Sequence, residues 1–540
     1  MLELHSFEEL KSLLSLILAS VIGTGLIYVL AVVLYRLTFH PLAKYPGPFL
    51  AKITAWYDVY HAYKGDKHIH FVYLHEKYGT FVRFGPNKLS INHPEALKAI
   101  YGHRANTRKS DFYLAFPAAK GVVSTHTAID RQTHSRKRRV LSYAFSDSAL
   151  KGMEEYVLVH IRDYLNKLVS ASSEPNGSAN GHVKSEKSGW SEAKDVATWT
   201  NYMSFDILGD LCFGKPFGML AGNVENRHMI YLLTQAVRRH NITGPMPALH
   251  QTGFDKILLR KIYNDRQQYL AFSRAMVGAR SKAGIMESER KDFFWYILRS
   301  KDPETGQGFS SGELWGESNT LIVAGSDTSS ITISSTIFYL LHNPDCLTRL
   351  TTEIDSKFAS AEDIRSGPVL NSCTYLRACV DEALRMSPPV GGLLERYVLP
   401  GGLTVLGHQI PAGTDLGTPI YAIHHHPDYV PNAYTYDPSR WSSETGSPVD
   451  LEKLHSVFNP FSIGPRGCIG KPMGYLEVTL TLARLVWGYE MRLAPGEAGM
   501  MGEGRKGLGW GREREGEFQT EEMFVSKVRG PVVQFRERMR

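Results

Sequence analysis

The sequence predicts a mostly α-helical globule with a smaller β-region, preceded by one N-terminal transmembrane helix. Three observations carry that expectation. Residues 12–35 form an uncharged apolar run. Long segments of helical periodicity dominate the second half, above all 310–343 and 372–386. Strand-like segments are short and few: 82–92, broken by Gly85-Pro86, and 525–535.

Among its 540 residues, 43% are hydrophobic and 21% charged, an ordinary balance for a protein with a sizeable core. A net charge of +7 suits an anionic membrane surface or an acidic protein partner, and at this size argues against nucleic acid. The five cysteines (Cys212, Cys346, Cys373, Cys379 and Cys468) are odd in number and lack Cys-x-x-Cys spacing. They speak against a disulfide framework and a zinc site, and for a reducing compartment.

In chain order, residues 12–35 exceed the roughly 20 needed to cross a bilayer core. Glu3, Glu8 and Glu9 precede the run with only Lys11 against them, while Arg36, Lys44 and Lys52 follow it. This asymmetry places residues 1–11 in the lumen and everything after the span in the cytosol. The run is too long, and its leading segment too acidic, for a cleaved signal peptide. Residues 36–50, with His40-Pro-Leu-Ala-Lys-Tyr-Pro-Gly-Pro48, read as a stiff non-helical hinge, leaving 51–540 as one globular domain.

Residues 82–92 predict a β-hairpin and 94–101 a short helix with proline in its first turn. Residues 107–130 lack a steady period and read as a loop. His134-Ser-Arg-Lys-Arg-Arg139 opens a helix; alone, such a run is usually a solvated face. Residues 171–189 are small, polar and aperiodic, a disordered surface loop by composition. Asn176-Gly-Ser178 and Asn241-Ile-Thr243 are formal glycosylation sequons that stay unmodified if they face the cytosol. Residues 198–240 return to helical periodicity, 244–254 form a proline-containing break, and 496–517 are Gly- and charge-rich and loose.

Ser310-Ser-Gly-Glu313 is a capping box and Asn343-Pro344 stops the helix it opens. The middle, Gly325-Ser-Asp-Thr-Ser-Ser-Ile-Thr-Ile-Ser-Ser-Thr336, is dense in side chains that compete with helical hydrogen bonds. Apolar residues flank it on both sides, so a wholly exposed polar face explains it poorly. Such a local violation marks a functional or strained site. Residues 372–386 form an amphipathic helix carrying Glu382 and Arg385 one turn apart, a spacing most often worth little on a surface. The consecutive His424-His-His426 side chains diverge and cannot readily chelate. In Phe461-Ser-Ile-Gly-Pro-Arg-Gly-Cys-Ile-Gly470, turn-forming residues deny regular structure before Cys468 and suit a thiolate ligand held by backbone N–H groups.

Phe461, Gly464, Arg466, Cys468 and Gly470 in this window resemble the haem-ligand loop of the cytochromes P450, and further motifs follow in that family's order. The resemblance implies a P450 fold over the globular part. Cys468 would be the axial ligand of haem (heme b, iron protoporphyrin IX), with Phe461, Arg466 and Gly470 around it. The basic helix matches helix C, so His134 and Arg138 would face a propionate, as would Arg396 in Gly392-Leu-Leu-Glu-Arg396. Arg136, Lys137 and Arg139 would then face an acidic redox partner. Ala324-Gly-Ser-Asp-Thr328 resembles the helix I signature, in which Asp327 and Thr328 serve proton delivery to bound dioxygen and Gly325 and Thr328 let the helix open locally. Glu382 and Arg385 match the helix K pair, completed by Arg440 in Tyr436-Asp-Pro-Ser-Arg-Trp441 as a structural network. The loop 107–130 would lie over the haem and touch substrate. Tyr45-Pro-Gly-Pro-Phe-Leu-Ala-Lys52 and Phe213-Gly-Lys-Pro-Phe-Gly-Met219 are closest to fungal members, including those similar to benzoate para-hydroxylase.

What this implies is a monooxygenase of the endoplasmic reticulum membrane, single-pass, with its catalytic domain in the cytosol. It would use dioxygen and electrons from NADPH through NADPH–cytochrome P450 reductase, with cytochrome b5 a further candidate donor. A lipophilic secondary metabolite such as a terpene or polyketide is the expected substrate, with a small aromatic acid such as benzoate the alternative. A P450-fold isomerase or dehydratase is a second reading, against which the intact Asp327-Thr328 pair stands. A membrane-anchored binding protein is the third, which a thiolate-type ferrous–CO spectrum would exclude and absence of haem would favour.

Overall fold

The structure, a computed structural model, describes residues 7–117, 119, 121–170, 189–282, 290–443 and 448–540. The polar stretch expected as a surface loop (apart from Gly189) and the first sequon lie outside the described residues.

Helix α1 (Phe7–Leu34) continues through a wider turn, Tyr35–Phe39, so helical structure ends four residues beyond Tyr35, the expected end of the span. Residues 10–39 are apolar and none of this stretch is buried against the rest of the chain. The hinge then begins at His40. It is packed: Leu42 and Tyr45 are buried among core residues, and the Arg36 guanidinium donates to the Ile53 carbonyl at 2.5 Å. Fully buried Arg83 donates in turn to the Arg36 carbonyl at 2.7 Å.

The expected hairpin forms as β1 (Phe81–Gly85) and β2 (Lys88–Ile91), followed by α2 (Pro94–Tyr101), whose His93 cap accepts from Glu95. The segment 107–130 holds a strand, β3 (Thr107–Lys109), and a 3₁₀ turn at Asp111–Ala115, so it is more ordered than its lack of period implies. β3 pairs with β4 (Arg396–Val398), and with β5 (Asp415–Gly417) the sheet runs β1-β2-β5-β4-β3. Tertiary pairing supplies the order that local pattern lacks.

The helical body comprises α3 (Arg131–Ser142), α4 (Asp147–Val169), α5 (Val196–Phe213), α6 (Val224–Thr243), α7 (Arg260–Lys282), α8 (Ser311–His342), α9 (Pro344–Lys357), α10 (Thr374–Met386) and α11 (Lys471–Gly488). The break 244–254 contains one short helix, Pro247–Gln251. The second sequon asparagine, Asn241, is buried in α6 and donates to the Ala62 and Glu522 carbonyls, a setting closed to glycosylation. The C-terminal strand is Val532–Glu537, later than expected, because Pro531 cannot donate to a ladder and Val525 turns to the central cavity.

Helix α8 crosses the main core, with Ile333, Ile337 and Leu340 fully buried. Both capping-box bonds are present at Ser310 and Glu313. The polar middle is accommodated from within. Ser326, Thr328, Thr332, Ser334 and Thr336 each donate to the carbonyl four residues back, at 2.6–2.9 Å. The helix is therefore unbroken across 325–328, and the local opening the resemblance implied is absent. Gly325 serves close packing instead: a Cβ there would stand 2.7 Å from Leu208 Cδ1 of α5.

Candidate active site

The cysteine loop is shaped by backbone necessity. Gly464 has φ +71°, and a Cβ there would overlap the Tyr101 carbonyl oxygen, so only glycine fits. Cys468 N–H donates to the Phe461 carbonyl at 2.8 Å, closing the turn. Gly470 is the N-cap of α11, and its N–H and that of Lys471 point at the sulfur. Burial pushes the thiol pKa up, while these amides and the Arg138 guanidinium oppose it by favouring the thiolate. A Cβ at Gly470 would meet Cys468 Sγ and Phe145 at 3.8 Å each, ordinary contacts, so protein packing alone does not require glycine there.

Cys468, exposed in the structure, lines one cavity with Ala324 and Thr328 of α8 and with apolar Leu384, Val390 and Phe461. The same cavity is bordered by Lys109, Arg396 and Arg466. Arg466 donates to the Ala128 and Ile129 carbonyls, and Arg396 to those of Leu394 and Glu395. Lys109 donates to the His126 carbonyl and lies over the Tyr113 ring at 4.0 Å. None of the three forms an ion pair among the described residues. The cost of this shows in the acidities of Lys109 and Arg466. Burial and the two arginines hold Lys109 well below the ordinary lysine value, and burial with Arg396 lowers Arg466 to about 10. A buried cationic cluster without chain carboxylates fits a ligand that brings its own. Together with a thiol under two amides and an apolar body, this is a donor set matched to an iron porphyrin.

The remaining expected residues separate. His134 is buried on an adjoining pocket with Arg396 and Arg466, and burial plus those cations push its pKa to about 3. Arg138 donates to the Gly467 carbonyl at 2.5 Å, bracing the loop from behind. Arg136, Lys137 and Arg139 do not form a free basic patch. Arg136 and Lys137 pair with Glu313 in the first turn of α8, and Arg139 with Asp302 and Glu304 in the loop before it. Asp327 turns away from Thr328 and lines a neighbouring cleft with Asn201, Arg227 and Ser330. Asn201 Nδ2 donates to its carboxylate at 2.8 Å, yet burial raises its pKa to about 6.

Glu382 is wholly buried and accepts from Arg385 at 2.8 and 2.9 Å, Arg440 at 2.9 Å and Trp441 at 3.0 Å. His424 is held between the Arg385 carbonyl and Asn459. Sequence reasoning missed Lys109, a single basic residue with no pattern around it, and Glu477 of α11. Glu477 accepts from Ser204 at 2.5 Å and from Ser329, a cavity residue, and burial raises its pKa to about 7.

The family model for Cytochrome P450 matches residues 46–514. The chain is a cytochrome P450. Among relatives of this P450, the cytochrome P450 monooxygenase AKT7 of Alternaria alternata is 39% identical over 94% of this chain and 95% of its own. Apf7 of Gibberella fujikuroi, also named a cytochrome P450 monooxygenase, is 38% identical over 94% and 96%. The trichothecene C-15 hydroxylase of Fusarium sporotrichioides is 33% identical over 91% and 95%. A crystal structure of the cytochrome P450 CYP102L1 superposes with TM-score 0.67 over 87% of this chain and 94% of that one at 19% identity, which supports the fold. The P450 thus belongs with monooxygenases, and its apolar α1 is compatible with a single-pass anchor.

Proposed function

We propose that this P450 is a haem-thiolate monooxygenase, with residues 51–540 as a cytosolic catalytic domain held at the endoplasmic reticulum by α1. It takes electrons from NADPH–cytochrome P450 reductase and oxidises a lipophilic small molecule of secondary metabolism. One observation carries the reading: Cys468, beneath two amides, shares a cavity with Thr328 of the polar-centred helix. Bound through Cys468, the haem supplies dioxygen activation.

Each residue's part follows from its surroundings. Gly470 and Lys471 N–H groups keep negative charge on Sγ. Lys109, Arg396 and Arg466 would hold the propionates, and Arg138 fixes the loop carbonyl. Thr328 Oγ1, now donating to the Ala324 carbonyl at 2.7 Å, presents its lone pairs to the cavity and can relay a proton there. Asp327 collects protons from the neighbouring cleft, its raised pKa letting it exchange them near neutrality. Leu384, Val390 and Phe461 exclude water. An isomerase has no need of this proton pair.

The deciding experiment is the ferrous–CO spectrum of the full chain. The wild type is expected to show the red-shifted thiolate band and Cys468→Ser to lose it; a variant that keeps the band overturns the assignment.

A further inference from the structure

Past Ala324 and Phe524 the Cys468 cavity continues into a second chamber used by neither the haem cradle nor the proton route. Its walls are chiefly apolar, among them Leu233, Val237 and Leu270. Into this lining α7 places Arg266, only 7% exposed. Its Nη2 donates to the Pro117 carbonyl at 2.8 Å and its Nε to His240 Nε2 at 3.4 Å. These employ two of the five donors of a guanidinium, and no carboxylate pairs with it among the described residues.

Arg239, equally buried on α6, shows what a structural arginine looks like here: it is paired through Nε and Nη2 with Asp255. Arg266 has no such counterion. Its nearest titratable neighbour, His240, is kept uncharged by burial and by Arg266 itself. The Tyr269 hydroxyl, on the same chamber wall, is buried and has no hydrogen-bond partner among the described residues. Burying a cation beside apolar side chains without compensation is costly, and a ligand carboxylate would supply what the chain withholds. One planar guanidinium matches a carboxylate through two parallel bonds.

We infer that the second chamber recognises the carboxylate of an otherwise apolar substrate, with Arg266 as its anchor and His240 and Tyr269 as flanking hydrogen-bond partners. The inference rests on the oxygenase reading only for the fate of that substrate: because Arg266 does not border the Cys468 cavity, the oxidised carbon lies remote from the carboxylate.

The test is calorimetric titration of the full-length haem-loaded protein with octanoate, decanoate and dodecanoate, each beside its alcohol, at neutral pH. At least one acid should bind roughly ten- to hundred-fold more tightly than its alcohol, as expected for a charge-assisted hydrogen bond. Arg266→Gln should erase that preference while alcohol binding persists, which also shows that the variant is folded, and Arg266→Lys should keep part of it. If no acid outbinds its alcohol, or if Arg266→Gln weakens both alike, the assignment is wrong. Heat reports binding whatever ligates the iron. Acid preference without the thiolate CO band would remove the oxygenase reading alone, and the band without acid preference would remove this inference alone.

Discussion

Glu382→Ala tests whether the buried network on α10 is needed to hold the haem loop's scaffold. Glu382 accepts both charge-assisted bonds of Arg385 and one from Arg440, and the side chains of Glu382 and Arg385 have no exposure. Its removal leaves the Arg385 guanidinium with the His424, Ala433 and Thr435 carbonyls and no carboxylate among the described residues. Stranding one member of a buried pair costs about 3–5 kcal/mol, a large part of a typical domain's stability. The surface pair Arg365–Glu155, 48% and 53% exposed, is the internal control: Arg365→Ala should cost about 0–1 kcal/mol. The assay is urea titration of both full-length variants followed by the thiolate CO band. A Glu382→Ala midpoint no lower than that of Arg365→Ala would refute the reasoning. The pH dependence has a fixed sign. Burial raises the Glu382 pKa, but Arg385 and Arg440 outweigh it and hold the group below its ordinary value. Its stabilising contribution is therefore present above the unfolded carboxylate pKa of about 4.3 and is lost as pH falls through the depressed folded value. The gap between wild type and Glu382→Ala should narrow in acid.

Asp327→Asn should separate stability from function. Burial raises Asp327 from 3.8 to about 6, so its ionised form burdens the fold once pH exceeds the unfolded value. The Asn variant should be more stable at neutral pH, by up to about 3 kcal/mol, with no gain in strong acid. It should also couple less NADPH to product and lose any limb of the rate profile near pH 6; unchanged coupling counts against the relay. Lys109→Met should speed haem transfer to an acceptor protein by roughly ten- to hundred-fold, the worth of one charge-assisted bond. A rate equal to wild type would place Lys109 outside the propionate cradle. Deleting residues 1–39 should release the protein from membranes only in part, as judged by sedimentation, because Phe49, Leu50, Trp56, Phe254, Ile257 and Leu258 remain exposed apolar surface. Complete release would show that the anchor acts alone.

Much of the fold was legible where local chemistry decides structure. The capping box at Ser310, the proline opening α2 and the proline after Asn343 each set an element boundary from within a few residues. Legibility failed where a distant partner decides. β3 exists because Arg396–Val398 pairs with it, and the C-terminal strand starts late because Pro531 interrupts the ladder. The basic run 134–139 fails for the same reason. Its residues read as a patch for another protein, and the carboxylates that consume them, Asp302, Glu304 and Glu313, lie more than a hundred and sixty residues away in sequence.

The site shows the same division. Cys468 was legible because its demands on the backbone are local: Gly464 must turn left-handed beneath Tyr101, and the amides of Gly470 and Lys471 must face sulfur. Lys109, Glu477 and Arg266 were not, since what distinguishes them is the missing or distant counter-charge, a property of the packed chain. The adjacent pair Asp327-Thr328 lies between these cases. Its identity was plain in the sequence, yet successive residues on a helix point about 100° apart, so the two side chains open onto different cavities. In the proposed relay, a proton gathered at Asp327 would have to pass around α8 before Thr328 could hand it on. The hydroxyls of Ser329 and Ser330 stand one on each cavity, on the turn of helix that such a passage would cross.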